Sequence, residues 1–196
     1  MPMPRHKDTR AHILAAATKL FYAEGIGRVG VDAVAEKAGV TKRTLYYHFR
    51  SKDDLIAAYL DSRDQPNLKQ MARWFDTAEG SLADKVAAIF AGLSSVARNP
   101  RWKGCGFLRT TAELAALPGH PAVKIGARHK NAFCAWLAAE IAAAGIEGSE
   151  TLAREILLLL DGAFSASLLQ RDAAWFDTAG LAARTLIAAR QPSLQR

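Results

Sequence analysis

Five side chains with the means to hold nucleic acid crowd one short stretch: Lys42, Arg43, Tyr46, Tyr47 and His48, inside the segment VDAVAEKAGVTKRTLYYHF of residues 31–49. If the stretch is helical, Leu45 and Phe49, four residues apart, turn inward together. The outward face is then those five residues with Thr44 at its margin, and Lys52 follows just beyond. Cations, phenols and an imidazole in that density suit the phosphates and base edges of a duplex major groove. A purely structural helix pair with a solvated basic face has the same pattern, so the segment taken alone leaves both readings open. Other chemistry is poorly supplied. There is no GxSxG, HExxH, Walker loop or dinucleotide fingerprint, so no enzyme is expected. Cys105, His120, His129 and Cys134 are spaced like no compact ligand motif, so neither metal nor cofactor is expected.

To present such a face, two short helices must meet at a sharp turn. That needs a small residue at the contact, a glycine where the backbone turns and apolar residues to lock the angle. Ala35, Gly39 and the set Val34, Val40 and Leu45 meet those needs. Upstream, Ile13, Leu14, Ala17, Leu20 and Phe21 share one helical face that starts after Asp8 or Thr9 and ends at Gly25. Downstream, Ser51 and Asp54 resemble a capping box opening a fourth helix, which Pro66 is expected to kink or end.

Charge is distributed to match. The 196-residue chain carries a net +7, and residues 1–52 hold ten Lys/Arg against four Asp/Glu, leaving the remainder almost neutral. A small basic module that meets a polyanion is therefore set apart from a balanced larger one. We place the boundary at residue 52, with a helix-turn-helix DNA-binding domain over 1–52 and a helical ligand-binding and dimerisation domain over 53–196. Two cysteines in a chain of this length suit a reducing cytoplasm, and neither a signal peptide nor a membrane span is expected.

The fold class is all-α throughout, since apolar residues recur at three and four and the strand period is missing. Further helices are expected over 67–78, 82–98, 107–117, 121–144, 149–169 and about 173–190. Residues 99–106 and 117–121, rich in Pro and Gly, form the punctuation. In the 149–169 helix, Leu152, Ile156, Leu160, Phe164 and Leu168 form one stripe, while Leu157, Leu158 and Leu159 widen it nearly all round. A helix apolar on every side needs burial on more than one side. A second copy of the chain, packed twofold on the two long helices through Phe133, Leu137, Ile156, Leu160 and Phe164, would supply it. A ligand pocket is expected among Trp74, Phe90, Trp102, Phe107, Phe133 and Trp136, with Arg109, Glu113 or His120 orienting an apolar or aromatic small molecule. The plainer reading makes the aromatics core residues and Arg109 with Glu113 a helix-surface ion pair.

Residues 13–55, ILAAATKLFYAEGIGRVGVDAVAEKAGVTKRTLYYHFRSKDDL, closely resemble the N-terminal module of the TetR family of transcriptional repressors. The order and spacing of LF, AGV, T, LYYHF and SK-DL all agree. The resemblance implies a homodimer that reads a palindromic double-stranded DNA operator and is released by a small-molecule effector. It puts base reading on Lys42, Arg43 and Tyr46, and phosphate contact on Thr44, Tyr47, His48 and Lys52. Where the family usually has Thr at the start of the second helix, this chain has Gly30, which offers no hydroxyl. A constitutive regulator that ignores small molecules, or an activator, would carry the same head.

Overall fold

The computed structural model describes residues 6–190, which form nine helices: α1 His6–Glu24, α2 Val31–Lys37, α3 Lys42–His48, α4 Lys52–Thr77, α5 Leu82–Ala97, α6 Gly106–Glu113, α7 Pro121–Ala143, α8 Ser149–Gln170 and α9 Ala174–Ala188. No strand occurs among the described residues, and none of their helices is long and apolar enough to cross a membrane. Arg5, counted in the basic head, lies outside them.

The chain divides into two compact units, Met1–Asp64 with Cys105–Ala127, and Gln65–Gly104 with Arg128–Arg196. The 1–52 segment thus sits in a unit that also includes the start of α4, all of α6 and the start of α7. The core of this first unit explains why. Ile13, Ala17 and Phe21 of α1, Val34 of α2 and Leu45 of α3 meet Leu55, Tyr59 and Leu60 of α4, and Phe107 of α6 and Ala122 of α7 complete the cluster. Each large apolar side chain so buried contributes about 1.5–3 kcal/mol. Tyr59 lies edge-on to Phe21 at 5.7 Å, and burial pushes its phenol up to about 12.

In the second unit α9 packs on α5 and α8. Gly180 makes the close approach possible: a Cβ there would come within 2.9 Å of the Phe90 Cβ. Phe90, Phe133, Leu137, Ile156, Leu160 and Phe176 fill the centre.

Pro66 does not end a helix. α4 runs through it for 26 residues, absorbing the separate helix expected over 67–78. Proline removes one N–H and crowds the carbonyl four residues back. Here the side chains before it (Leu55, Ile56, Tyr59, Leu60) and after it (Met71, Phe75) are all buried, and that burial outweighs the local loss. α1 opens at His6, ahead of the start expected after Asp8 or Thr9, and α6 ends at Glu113 rather than 117; Gly25 at φ 89 closes α1 as expected, and Ser81 with Asp84 forms a reciprocal capping box for α5. The two hydrogen bonds from Ser81 hold the Asp84 carboxyl below its usual range.

Candidate nucleic-acid interface

The recognition face is built from α3. Thr41 caps it, its hydroxyl accepting the Thr44 N–H at 3.1 Å, which fixes where the first turn begins. Leu45 and Phe49 are wholly buried, so the angular position of every other α3 side chain is set. Lys42, Arg43, Tyr46 and Tyr47 are exposed, with Thr44 and His48 half-buried at the margins. Tyr47 stands 73% exposed, an unusual place for a phenol ring unless something stacks on it, and it meets the His48 ring edge-on at 5.3 Å. Lys42 reaches back to Asp32 of α2 at 3.0 Å, a pair with both partners mostly in solvent. Lys52, half-buried, begins α4 one residue after Ser51, whose hydroxyl accepts the Asp54 N–H at 3.0 Å. The seven residues expected to meet DNA thus lie along α3 and the first turn of α4, and all retain at least part of their surface in solvent. Gly30 precedes α2 with no side-chain cap, leaving that helix start without a hydroxyl.

What steadies this face comes from far along the chain. The carboxylate of Glu113, at the end of α6, accepts the Gly27 N–H at 2.7 Å and the Ile26 N–H at 3.4 Å, in the turn that joins α1 to α2. Gly25 permits the approach, because a Cβ there would stand 3.0 Å from the carboxylate. One turn earlier on α6, Arg109 donates to the Tyr22 carbonyl at 2.9 Å near the end of α1. His120 precedes α7: its Nδ1 accepts the Ala122 N–H at 3.0 Å, while Nε2 lies 3.3 Å from Asp53 Oδ1, at ion-pair distance but off the hydrogen-bonding axis. Arg109, Glu113 and His120 therefore hold the backbone and helix ends of the first unit. The Gly-rich turn at 25–27 signals exposed N–H groups in need of an acceptor, but the acceptor lies 86 residues away, beyond the reach of any local pattern.

The remaining pocket candidates separate. Phe107 belongs to the core of the first unit, whereas Trp74, Phe90, Trp102, Phe133 and Trp136 belong to the second. Phe90 and Phe133 are close-packed core, and Trp136 lies edge-on to Phe75 at 5.2 Å. Of the set, Trp102 lines an open cleft. Phe133, Leu137, Ile156 and Leu160, expected at a partner, are at most 2% exposed within the single chain, and Phe164 is half-buried against Trp102 and Phe176. The large apolar side chains that α8 and α9 leave in solvent are others: Leu158, Leu168, Leu169, Trp175 and Leu181. Both cysteines are free, and burial raises the Cys134 thiol.

Comparison with known proteins agrees with this architecture. The family model described as bacterial regulatory proteins, tetR family, matches residues 13–59. A solved TetR-family transcriptional regulator from Streptomyces coelicolor is 31% identical and superposes with a TM-score of 0.83, over 95% of this chain and 97% of that one. The HTH-type transcriptional regulator TtgR of Pseudomonas putida is 45% identical over 56 residues, 29% of this chain and 27% of its own length. The HTH-type transcriptional repressor NemR of Escherichia coli is 26% identical over 111 residues, 56% of each chain. The match to these two curated relatives thus spans between about a quarter and about half of their length. The full-length likeness to the Streptomyces regulator, with the capped α3 and the helical second unit, decides the family: the chain belongs to the TetR family of transcriptional regulators.

Proposed function

We propose that this protein is a ligand-responsive transcriptional repressor that binds a palindromic operator as a homodimer and releases it when a small effector binds. The observation that carries the reading is the α3 face, where Lys42, Arg43, Tyr46 and Tyr47 stand in solvent on a helix fixed by the burial of Leu45 and Phe49. Lys42, Arg43 and Tyr46 read bases, and Thr44, Tyr47, His48 and Lys52 hold the phosphate backbone. Repression is the sense in which the similar NemR of Escherichia coli is named. The effector binds within the helices of the second unit, and its coupling to the operator is a difference in affinity between two conformations, about 1–3 kcal/mol for a 5- to 150-fold release. The protein works in the cytoplasm, where its operator is.

The homodimer rests on α8 and α9. Leu158 is 73%, Leu181 66% and Leu169 80% exposed, a quantity of apolar surface that a monomer seldom leaves in water. Isologous twofold pairing is the commonest way to cover it.

Selection of bound sequences from random duplex by the full-length protein tests the reading. The expected product is a palindrome whose half-sites lie about 34 Å apart or a multiple of it, as a twofold pair of heads requires. Products without twofold symmetry, or no enrichment at all, overturn it. Leu158→Glu and Leu181→Glu should yield monomers by light scattering and lose the palindrome's affinity advantage.

A further inference from the structure

A cleft of about 580 Å³ opens in the second unit between the end of α5, the segment leading to α6, the end of α8 and the turn into α9. Trp102 lines it. Its indole is stacked on Phe164 at 6.4 Å and lies edge-on to Phe176 at 6.0 Å, so the plane it offers is fixed. Around it stand Arg98, Lys103, Arg171 and Asp172. Arg98 is set against Asp177 at 3.3 Å, and the Asp172 carboxylate accepts the Ala174 N–H at 2.9 Å. Arg171 lies next to Asp172, whose carboxylate is already engaged. The cleft is an aromatic surface with one guanidinium that makes no ion pair among the described residues at its edge.

Two lining residues are ones the fold alone would replace. Ser167 is 1% exposed, and its hydroxyl is buried with no hydrogen-bond partner; alanine in its place would avoid that unfavourable burial. Arg171 caps α8 at φ 55, in the left-handed region where a side chain is strained and glycine is favoured. It makes no ion pair among the described residues. A hydroxyl without a hydrogen-bond partner and a guanidinium without an ion pair line the same cleft, and an anion there would satisfy both.

We propose that this cleft binds a small aromatic carboxylate, with its ring against Trp102 and its carboxylate held by Arg171 and the Ser167 hydroxyl. A cavity of this size takes a one- or two-ring ligand, and guanidinium binds carboxylate with strong charge-assisted hydrogen bonds. An aromatic effector was expected from composition, but the lining makes it an anionic one. Binding itself needs no further premise; its consequence at the operator rests on the sensor reading above.

The test uses full-length protein with benzoate and 1-naphthoate, their uncharged counterparts benzyl alcohol and 1-naphthylmethanol, and inorganic phosphate, followed by calorimetry and tryptophan fluorescence. Saturable binding of a carboxylate, at least tenfold tighter than its alcohol, is expected. Arg171→Gly should melt no lower than the wild type, because glycine suits the backbone angle, yet bind at least tenfold more weakly. Ser167→Ala should likewise keep its melting temperature and lose several-fold in affinity. The proposal is overturned if neither carboxylate binds saturably, if the alcohols or phosphate bind as tightly, or if both variants bind like the wild type. Carboxylate binding with unchanged operator affinity upholds the cleft and removes the sensor reading from it. Absence of binding overturns the cleft and leaves the sensor reading to be tested with other ligands.

Discussion

The two units weight the uses of their charged side chains differently. In the first, the ordered charges away from α3 grip backbone: Glu113 the N–H groups of the α1–α2 turn, Arg109 the Tyr22 carbonyl, Asp54 the Arg50 N–H. In the second, several also grip one another: Lys130 with Asp161, Arg190 with Glu155 at 2.8 Å, Arg184 with Asp84 at 2.9 Å and Arg98 with Asp177, while Asp172 and Asp84 accept the Ala174 and Ser81 N–H groups. Residues 1–52 hold ten Lys/Arg against four Asp/Glu, so the head keeps an excess of positive charge. Arg43 and Lys52 make no ion pair among the described residues. In the second unit Arg171, which lines the cleft at Trp102, makes no ion pair among the described residues.

The largest expected effect follows directly. A head that meets phosphates with unpaired cations displaces counterions, so operator affinity should fall about 10³- to 10⁵-fold between roughly 50 and 200 mM salt for 6–10 phosphate contacts. Over the same range the melting temperature should barely move, because the pairs of the second unit are short-ranged and partly shielded from solvent. Fluorescence anisotropy on the selected operator beside a thermal melt separates the two. Affinity that ignores salt would erase the contrast.

Next in size is Asp161→Ala. The side chains of Lys130 and Asp161 are only 17% and 28% exposed, and Lys130 also lies over the Phe164 ring at 5.6 Å. Losing the carboxylate strands a mostly buried ammonium and should cost about 3 kcal/mol in denaturant unfolding. The exposed Glu150–Arg154 pair gives the control, where Glu150→Ala should stay within about 0.5 kcal/mol.

Tyr59 carries a pH dependence of comparable size. Its phenol ionises near 10 when the chain is unfolded and at about 12 when folded, because the ring is desolvated. Between those values the unfolded chain has lost a proton that the folded one keeps, so raising the pH favours unfolding. The contribution is whole below pH 10 and gone by pH 12, about 2–3 kcal/mol in all. Denaturation measured from pH 9 to 11 should show stability falling more steeply in the wild type than in Tyr59→Phe.

Glu113→Ala comes slightly lower, at about 2 kcal/mol for a charge-assisted acceptor shared by two backbone donors. It should weaken binding to every sequence alike, since it loosens the head without touching a base, and Glu113→Gln should recover part of the loss. An altered selection profile would mean that Glu113 acts on DNA directly.

How much of this was legible in the sequence depends on how local the cause is. The α3 face was, because Leu45 and Phe49 fix the helix within seven residues. So was the Ser51–Asp54 start, which needs a span of four. Pro66 misled as a helix end, because α4 runs on through it with Tyr59 and Leu60 buried before it and Met71 and Phe75 buried after it, a tertiary effect. In α8 the 3.6-residue period put Ile156 and Leu160 on an apolar stripe, but not which side one chain covers; that depends on α9, which packs against it and leaves Leu158 outside. Arg109, Glu113 and His120 looked like pocket groups or surface pairs, because nothing within five residues announces a partner in α1, the α1–α2 turn or α4. The cleft at Trp102 joins residues 97–103 to 167–173, a pairing that no spacing rule carries.

The smallest effect is the finest test of the contrast. Lys42 of α3 is paired with Asp32, and the two side chains are 52% and 74% exposed. Such a pair is worth about 0.2–1 kcal/mol, and Lys42 must give it up to reach a duplex. Asp32→Asn removes that competition along with a negative charge near the phosphates, so operator affinity should rise about 1.5- to 5-fold, the factor this energy implies. Asp32 also sits in the first turn of α2, where a carboxylate favours the helix, so the variant should lose a few tenths of a kcal/mol in stability. Tighter binding from a slightly less stable protein is an outcome that general loosening of the fold does not produce. Weaker binding would instead show that Asp32 holds Lys42 in its reading position, and the head would then resemble the second unit in pairing a charge for use.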